Sequence, residues 1–355
     1  TFDGRPACNS CGLCPAYGCP INARGDALVS FLNPAIRTGR VRVVPRAFVH
    51  RVEASADARR AVAVHYRDLD GTQHRLPATT VIVAGSPVNT ARLLLLSADG
   101  NHPSGLGNSS DQLGRNIMFH NFVQGASVYP YNIRPLRSQS STYAVDDLVG
   151  PFTGPDVSAL GVPWLVGGVL QVGGGGAPLT MAKMVSAYLG YGLPLKEILK
   201  VSTHSALAGT QLIMQDLPQA DNRVDLDPSV TDLHGVPAAR ITYSPHQHEI
   251  AASLYLGARL EAMHLLAPGS TGAIVLPYPL LNKGATGTMH LAGTARMGHD
   301  PTTSVCAPSG RLHDVENVYV ADASTFPTFP GFNPTLTIMA NALRIARGLA
   351  TNPGE

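Results

Sequence analysis

Asn317-Val318-Tyr319-Val320-Ala321-Asp322-Ala323-Ser324-Thr325-Phe326-Pro327 leads, a few residues on, into Gly331-Phe332-Asn333-Pro334-Thr335. Val318 to Ala321 is a short apolar run of the kind that forms a buried strand, and Asp322 stands at its carboxyl end. Asn333 predicts a helix N-cap, with Pro334 in the first turn, where its missing N–H costs nothing. Helical spacing then runs through Leu336, Met339, Ala340, Leu343, Ile345 and Ala346. A strand, an acid at its end and a capped helix describe the carboxyl edge of an α/β sheet, where open sheets of this type bind cofactors.

Just upstream lies Met289-His290-Leu291-Ala292-Gly293-Thr294-Ala295-Arg296-Met297-Gly298. The small residues after His290 leave backbone room for a ring to approach. A neutral imidazole there is suited to accept a proton near neutral pH. The carboxylate of Asp322 could accept hydrogen bonds from the ribityl or ribose hydroxyls of a dinucleotide, or could serve as a turn or helix cap. The Asn-Pro helix start presents free N–H groups and partial positive charge, which would favour an anionic reduced ring at its amino end.

Toward the amino terminus, a helix is predicted around Ala27 to Thr38, ended by Gly39. Arg40 to Val44 and Ala61 to Tyr66 alternate as half-buried strands do, and Asp70-Gly71 predicts a turn into a following strand. Thr80 to Ala84 reads as a strand covered on both faces, broken by Gly85 and Ser86. Asn89-Thr90 would open a leucine-rich helix over Ala91 to Ser97. From about Phe122 the pattern changes, with Gly173 to Gly176, several prolines, strand-like Val224 to Leu226 and Ala239 to Tyr243, and an amphipathic helix over Ile250 to Leu266.

The 355 residues suffice for two domains, and 36 glycines with 28 prolines point to a loop-rich enzyme rather than a helical bundle. A charged fraction of 14% and a net charge of +2 give no footprint for nucleic acid or an acidic membrane. No stretch approaches the roughly 20 apolar residues of a transmembrane helix.

Taken together, His290 with its small-residue run, Asp322 at a strand end and Asn333-Pro334 resemble the carboxyl-terminal half of the glucose-methanol-choline (GMC) oxidoreductases. Ile82 to Ser86 with Thr90 to Ser97 resembles the family's strand-turn-helix beside the adenosine half of FAD. Phe48-Val49-His50-Arg51-Val52 resembles the strand whose valine backbone meets the adenine. Gly105 to Ser110, Leu113 to Asn116 and His120 resemble the loop entering the substrate domain, with His120 structural or supporting rather than catalytic. The resemblance implies an α/β protein (α+β overall). Its FAD-binding domain, 1–121 and 287–355, would lack the first βαβ unit, and its substrate domain, 122–286, would hold a mostly antiparallel sheet. It further implies FAD bound by Val49, Ala84, Gly85, Asp322, Ala323, Asn333, Pro334 and Thr335. His290 would take the hydroxyl proton of a sugar, sugar acid or alcohol, Asn333 would orient the substrate, and hydride would pass to flavin N5.

The family's Gly-x-Gly-x-x-Gly phosphate loop is absent, so the chain is expected to lack an upstream third, to bind FAD poorly alone and to be inactive alone. Cys8, Cys11, Cys14 and Cys19 approach a ferredoxin-like spacing and read either as a metal site, iron–sulfur or zinc, or as a tight loop. Within the family the chain most resembles the flavoprotein subunits of the bacterial gluconate, glucose and fructose dehydrogenases, which implies electrons passed to a cytochrome, a small subunit or a quinone; a cluster at these cysteines would make it a dehydrogenase and not an oxidase. The other readings are an oxygen-using alcohol or sterol oxidase, an iron–sulfur electron-transfer protein and a catalytically silent scaffold. His246-x-His248 reads as surface histidines, and Trp164 either lines the substrate domain or packs. The compartment stays open between bacterial periplasm, a membrane-associated complex and cytoplasm.

Overall fold

The computed structural model describes residues 4–11, 18–133, 141, 143–173, 182, 186, 190–201, 206–277 and 288–351. Its architecture is α/β, with most strand pairs antiparallel. The chain divides into two compact units. One contains Val43–His120, Asp216–His246 and Gly284–Glu355, and the other Thr1–Arg42, Asn121–Gln215 and Gln247–Lys283.

The first unit carries the residues of the candidate site. Strands β1 (Phe48–Ala54), β2 (Ala61–Arg67) and β3 (Gln73–Pro77) form an antiparallel meander. Its second turn closes because Asp68 Oδ1 accepts from the amides of Asp70 and Thr72, each at 3.0 Å, while Gly71 supplies φ +79°. Strand β4 (Val81–Val83) pairs in parallel with β14 (Val318–Val320). Val81, Val83, Val318 and Val320 join Val52, Leu94, Leu106 and Leu312 in one core, each such side chain contributing roughly 1.5–3 kcal/mol. Asn317 pins the amino end of β14: its Oδ1 accepts from Ala61 N at 2.7 Å, and its Nδ2 donates to the carbonyls of Ala61 and Thr79, each at 2.8 Å.

Three sequence expectations change here. Arg40 to Val44 form no strand, and Val41, Val43 and Val44 are exposed, because no strand among the described residues pairs with them. Strand β4 is covered on one face only: Ile82 is 53% exposed while its neighbours are buried. Helix α2 (Ser86–Leu96) opens at Ser86 rather than near Asn89, since Pro87 already sits in its first turn and the turn residue Ser86 is held at φ +72°. Near the amino terminus, Leu28–Leu32 form one π-helical turn that continues into α1 (Asn33–Arg37), close to the predicted bounds, and Gly39 ends it at φ +73°.

The other unit holds a five-stranded antiparallel sheet in the order β12-β6-β9-β8-β7. Its strands are β6 (Asn121–Val128), β7 (Tyr143–Val145), β8 (Gly168–Gly173), β9 (Leu207–Met214) and β12 (Gly272–Pro277). Among the described residues, the short helices α3 (Pro155–Ser158) and α4 (Leu193–Val201) lie in its connections. Helix α5 (Gln247–Leu265) lays Ala251, Ala252, Leu256 and Leu260 on Val123, Leu170, Leu212 and Met214. Trp164 packs against His248, with ring centroids 4.4 Å apart. Of the glycine run, Gly174 to Gly176 lie outside the described residues.

These units depart from the expected boundaries in two places. Residues 216–246 group with the β4–β14 unit, because hairpin β10 (Arg223–Thr231) and β11 (Pro237–Thr242) buries Val224 with Ala91, Ile117 and Phe119. Arg92 reinforces this by donating to Asp232 at 2.7 Å. Residues 1–42 group with the five-stranded sheet.

Candidate active site

His290 owes its position to a two-residue ladder. Strand β5 (Met118–Phe119) pairs antiparallel with β13 (Leu291–Ala292), setting Leu291 opposite Phe119. One step further, His120 N–H donates to the His290 carbonyl at 3.3 Å, so the two histidines face each other across the end of the ladder.

Immediately after β13 the chain zips along another backbone. The amides of Gly293, Ala295 and Met297 donate to the carbonyls of Ala323, Ser324 and Thr325 at 3.0, 3.0 and 2.8 Å. Gly293 adopts φ +82°, and a Cβ there would lie 2.0 Å from the Asn116 carbonyl oxygen, so this position needs glycine. Thr294 and Ala295 are fully buried. The small residues after His290 therefore serve backbone-to-backbone packing.

The imidazoles themselves are in contact. His120 Nδ1 lies 3.0 Å from His290 Nδ1, and His120 Nε2 lies 3.0 Å from the Pro330 carbonyl oxygen. Phe329 stacks on His120 with centroids 3.7 Å apart and planes inclined by 11°. His120 is buried and His290 half-buried. Burial holds His120 neutral, with its pKa lowered to about 3; neighbouring His290 lowers it further and the Pro330 carbonyl partly opposes this. Burial likewise pulls His290 below the ordinary histidine range, so it is an unprotonated base at neutral pH.

Three residues beyond Pro330 stands Asn333, exposed, followed by buried Pro334 and exposed Thr335. Helix α6 (Thr335–Thr351) begins one residue later than predicted: Ile338 N–H donates to the Pro334 carbonyl at 2.9 Å, which makes Pro334 the capping position. His120 thus ties His290 to the segment leading to Asn333.

The remaining predicted cofactor contacts lie at the carboxyl end of the parallel pair and on the meander. Ala84 and Gly85 follow β4 and are exposed, as is Val49 on β1, whereas Ala323 is buried beyond β14. Asp322 is buried, and both of its oxygens are engaged. Oδ2 accepts from Ser86 N at 2.9 Å and Thr90 Oγ1 at 2.6 Å; Oδ1 accepts from Ser324 N at 2.8 Å and from the Ser324 hydroxyl. A carboxylate offers about four lone-pair sites, so Asp322 braces the turns after β4 and β14 against each other. The FAD implied by the sequence fits this edge in one respect: the exposed backbone at Ala84 and Gly85 ends a parallel pair, where such cofactors lie.

The cysteines are a different case. Cys8 Sγ accepts from Ser10 N and Cys19 Sγ from Ala23 N, each at 3.3 Å, and the Arg24 and Ile21 amides lower the Cys19 pKa. Among the described residues, no group of three or more His, Cys, Asp or Glu is placed to hold a metal ion, and Cys14 lies outside them. Cys306 is buried, which pushes its thiol far up in pKa and leaves it inert.

The sequence names His290 and Asn333 as candidates but does not reveal the contact of His120 with His290. The two are 170 positions apart in the chain.

Comparison with known proteins identifies the family. Residues 3–122 and 218–342 match the amino- and carboxyl-terminal GMC oxidoreductase family models. The chain belongs to the GMC oxidoreductase family. It is 31% identical to paromamine 6'-oxidase of Streptomyces fradiae, over 98% of this chain and 59% of that protein. It is 28% identical to the fructose dehydrogenase large subunit of Gluconobacter japonicus, over 97% of this chain and 60% of that subunit. Among solved structures, pyridoxine 4-oxidase from Mesorbium loti superposes with a TM-score of 0.63 at 17% identity, covering 93% of this chain and 62% of the other. The chain thus spans about three fifths of the length of the relatives it matches. No helix among the described residues is long and apolar enough to cross a membrane.

Proposed function

We propose that this chain is the larger part of an FAD-dependent oxidoreductase that oxidises a CH–OH group of a sugar, sugar acid or alcohol. The observation that carries the reading is His290, a histidine kept neutral by burial, held through Nδ1 against His120 and joined through it to the Asn333 segment. Bound FAD supplies the acceptor for the hydride that leaves the carbinol carbon. His290 takes the hydroxyl proton at Nε2, so that the C–O bond can become a carbonyl. Asn333, whose amide does not titrate, holds the substrate oxygen by hydrogen bonding. Val49, Ala84, Gly85, Ala323, Pro334 and Thr335 line the cofactor side, while Asp322 braces that edge.

The test is His290→Ala in the full-length, FAD-loaded enzyme. It should lower kcat by about 10²- to 10⁴-fold with FAD still bound. Near-normal turnover would overturn the assignment. Names among the relatives, such as fructose dehydrogenase, gluconate 2-dehydrogenase and C-glycoside 3-oxidase, favour a polyhydroxylated substrate. Electrons then pass to a partner, such as a cytochrome or small subunit, or to a quinone. Dye reduction without hydrogen peroxide supports that route, and stoichiometric peroxide replaces it with an oxygen-using oxidase. An iron–sulfur cluster on Cys8, Cys11, Cys14 and Cys19 gains no support from the described thiols and forms no part of this reading.

A further inference from the structure

We propose that His120 is a positioning residue: by accepting a hydrogen bond at Nδ1 while donating from Nε2 to Pro330, it fixes the tautomer of His290 and keeps the proton on Nδ1, so that Nε2 is the nitrogen able to take the substrate's proton. The inference rests on the reading of His290 as the base.

The argument is one of counting protons. The Pro330 carbonyl can only accept, so the 3.0 Å contact requires a proton on His120 Nε2. The same oxygen also accepts from Phe332 N–H at 2.7 Å, so both of its lone pairs are used. A neutral imidazole carries one N–H, which leaves His120 Nδ1 bare. The 3.0 Å contact between the two Nδ1 atoms needs one proton, and only His290 can bring it. His290 is therefore the Nδ1–H tautomer, and its lone pair sits on Nε2. Reversing both tautomers would keep the contact between the rings but set the His120 Nε2 lone pair against the Pro330 carbonyl oxygen, and reversing His290 alone would set two Nδ1 lone pairs against each other.

Geometry holds the relay still. Phe329 stacks flat on the His120 ring, and the backbone bond from His120 N–H to the His290 carbonyl fixes the two main chains. When Nε2 receives the substrate proton, His290 becomes a cation whose Nδ1–H still points at a bare acceptor. That bond turns charge-assisted and strengthens as the proton arrives, which favours the transition state over the ground state.

Nitrogen-15 NMR of histidine-labelled, FAD-loaded enzyme tests this directly. The wild-type His290 ring should show a protonated Nδ1 and an unprotonated Nε2. A protonated Nε2 would overturn the proposal without recourse to any variant. Substitutions then separate positioning from packing. His120→Asn puts an amide oxygen near the Nδ1 position and can still accept from His290; His120→Gln places its amide near the Nε2 position, and His120→Phe keeps only the stack. Gln and Phe should lower kcat about 100-fold, with little change in KM, and shift His290 toward the Nε2–H form, whereas Asn should restore most of the rate and the tautomer. Equal losses for Asn and Gln, or a His290 tautomer untouched by Phe, would make His120 a packing residue only. If His290→Ala keeps activity, the base reading falls and this proposal with it. If His290→Ala is inactive while the His120 variants keep rate and tautomer, this proposal alone falls.

Discussion

Acid should destabilise this protein in a way that His120 controls. The folded state holds its imidazole at about 3, against 6.5 in an unperturbed chain, because it is buried against Phe329 and faces His290. Between those values the unfolded chain binds a proton that the folded protein refuses. The folded state's advantage is whole above about pH 6.5 and drains away as pH falls toward 3. One pKa unit is worth about 1.4 kcal/mol, and pH 5 lies about one and a half units below the unfolded value, so about 2 kcal/mol should be gone by pH 5. The perturbation is His120→Asn, which removes this titration and keeps an acceptor for His290. His290, also lowered by burial, remains in both proteins and largely cancels in the comparison. Urea unfolding of the FAD-loaded enzyme at pH 7 and pH 5 gives the loss for each. The variant starts less stable at pH 7, but its further loss on going to pH 5 should be smaller than that of wild type by about 2 kcal/mol. Equal losses would mean that His120 takes a proton at no cost, and the buried contact with His290 would be refuted.

Four further outcomes follow from the packing. Asp322→Ala strips the acceptor from the Ser86 amide, the Thr90 hydroxyl and Ser324, and should cost about 3 kcal/mol in urea unfolding; a loss under about 1 kcal/mol would mean the brace is idle. Gly293→Ala must push a Cβ against the Asn116 carbonyl at φ +82°, so it should cost about 3 kcal/mol and lower kcat by displacing His290. Gly348→Ala in helix α6 meets nothing within 4 Å and should instead stabilise by about 0.5–1 kcal/mol. Iodoacetamide at pH 8 should leave Cys306 unmodified in native protein and alkylate it only after unfolding, as read by mass spectrometry.

Much of the fold can be read from local pattern. Alternation marks Ala61 to Tyr66, Asp70-Gly71 marks the turn after it, and the spacing of Ile250 to Leu266 marks a helix that the structure places at Gln247–Leu265. Pattern misleads where the outcome depends on a partner. Val41, Val43 and Val44 alternate as strand residues do, yet a strand needs a neighbour to take its hydrogen bonds, and this one has none in the described structure. Thr80 to Ala84 is apolar throughout, yet burial on both faces needs something on both faces, and Ile82 looks outward. The assignment of 216–246 turns on Val224 finding Ala91, Ile117 and Phe119, which no local pattern announces.

The site divides along the same line. His290 and Asn333 stand out as candidates in the sequence because each sits in a short stretch whose chemistry is local: a histidine before small residues, an Asn-Pro before a helix. Asp322 is legible as an acid at a strand end, but its work depends on four donors, two of them more than two hundred positions away in sequence. His120 is the sharpest case. In sequence it closes a loop and reads as structural or supporting, with nothing nearby to name its partner. Its partners are a histidine 170 positions on and a carbonyl 210 positions on, brought together by a two-residue ladder and a proline turn. A base is chosen by residue type, and residue type can be read in order along the chain. The protonation state of that base is chosen by what its second nitrogen touches, and that exists only once the chain has folded.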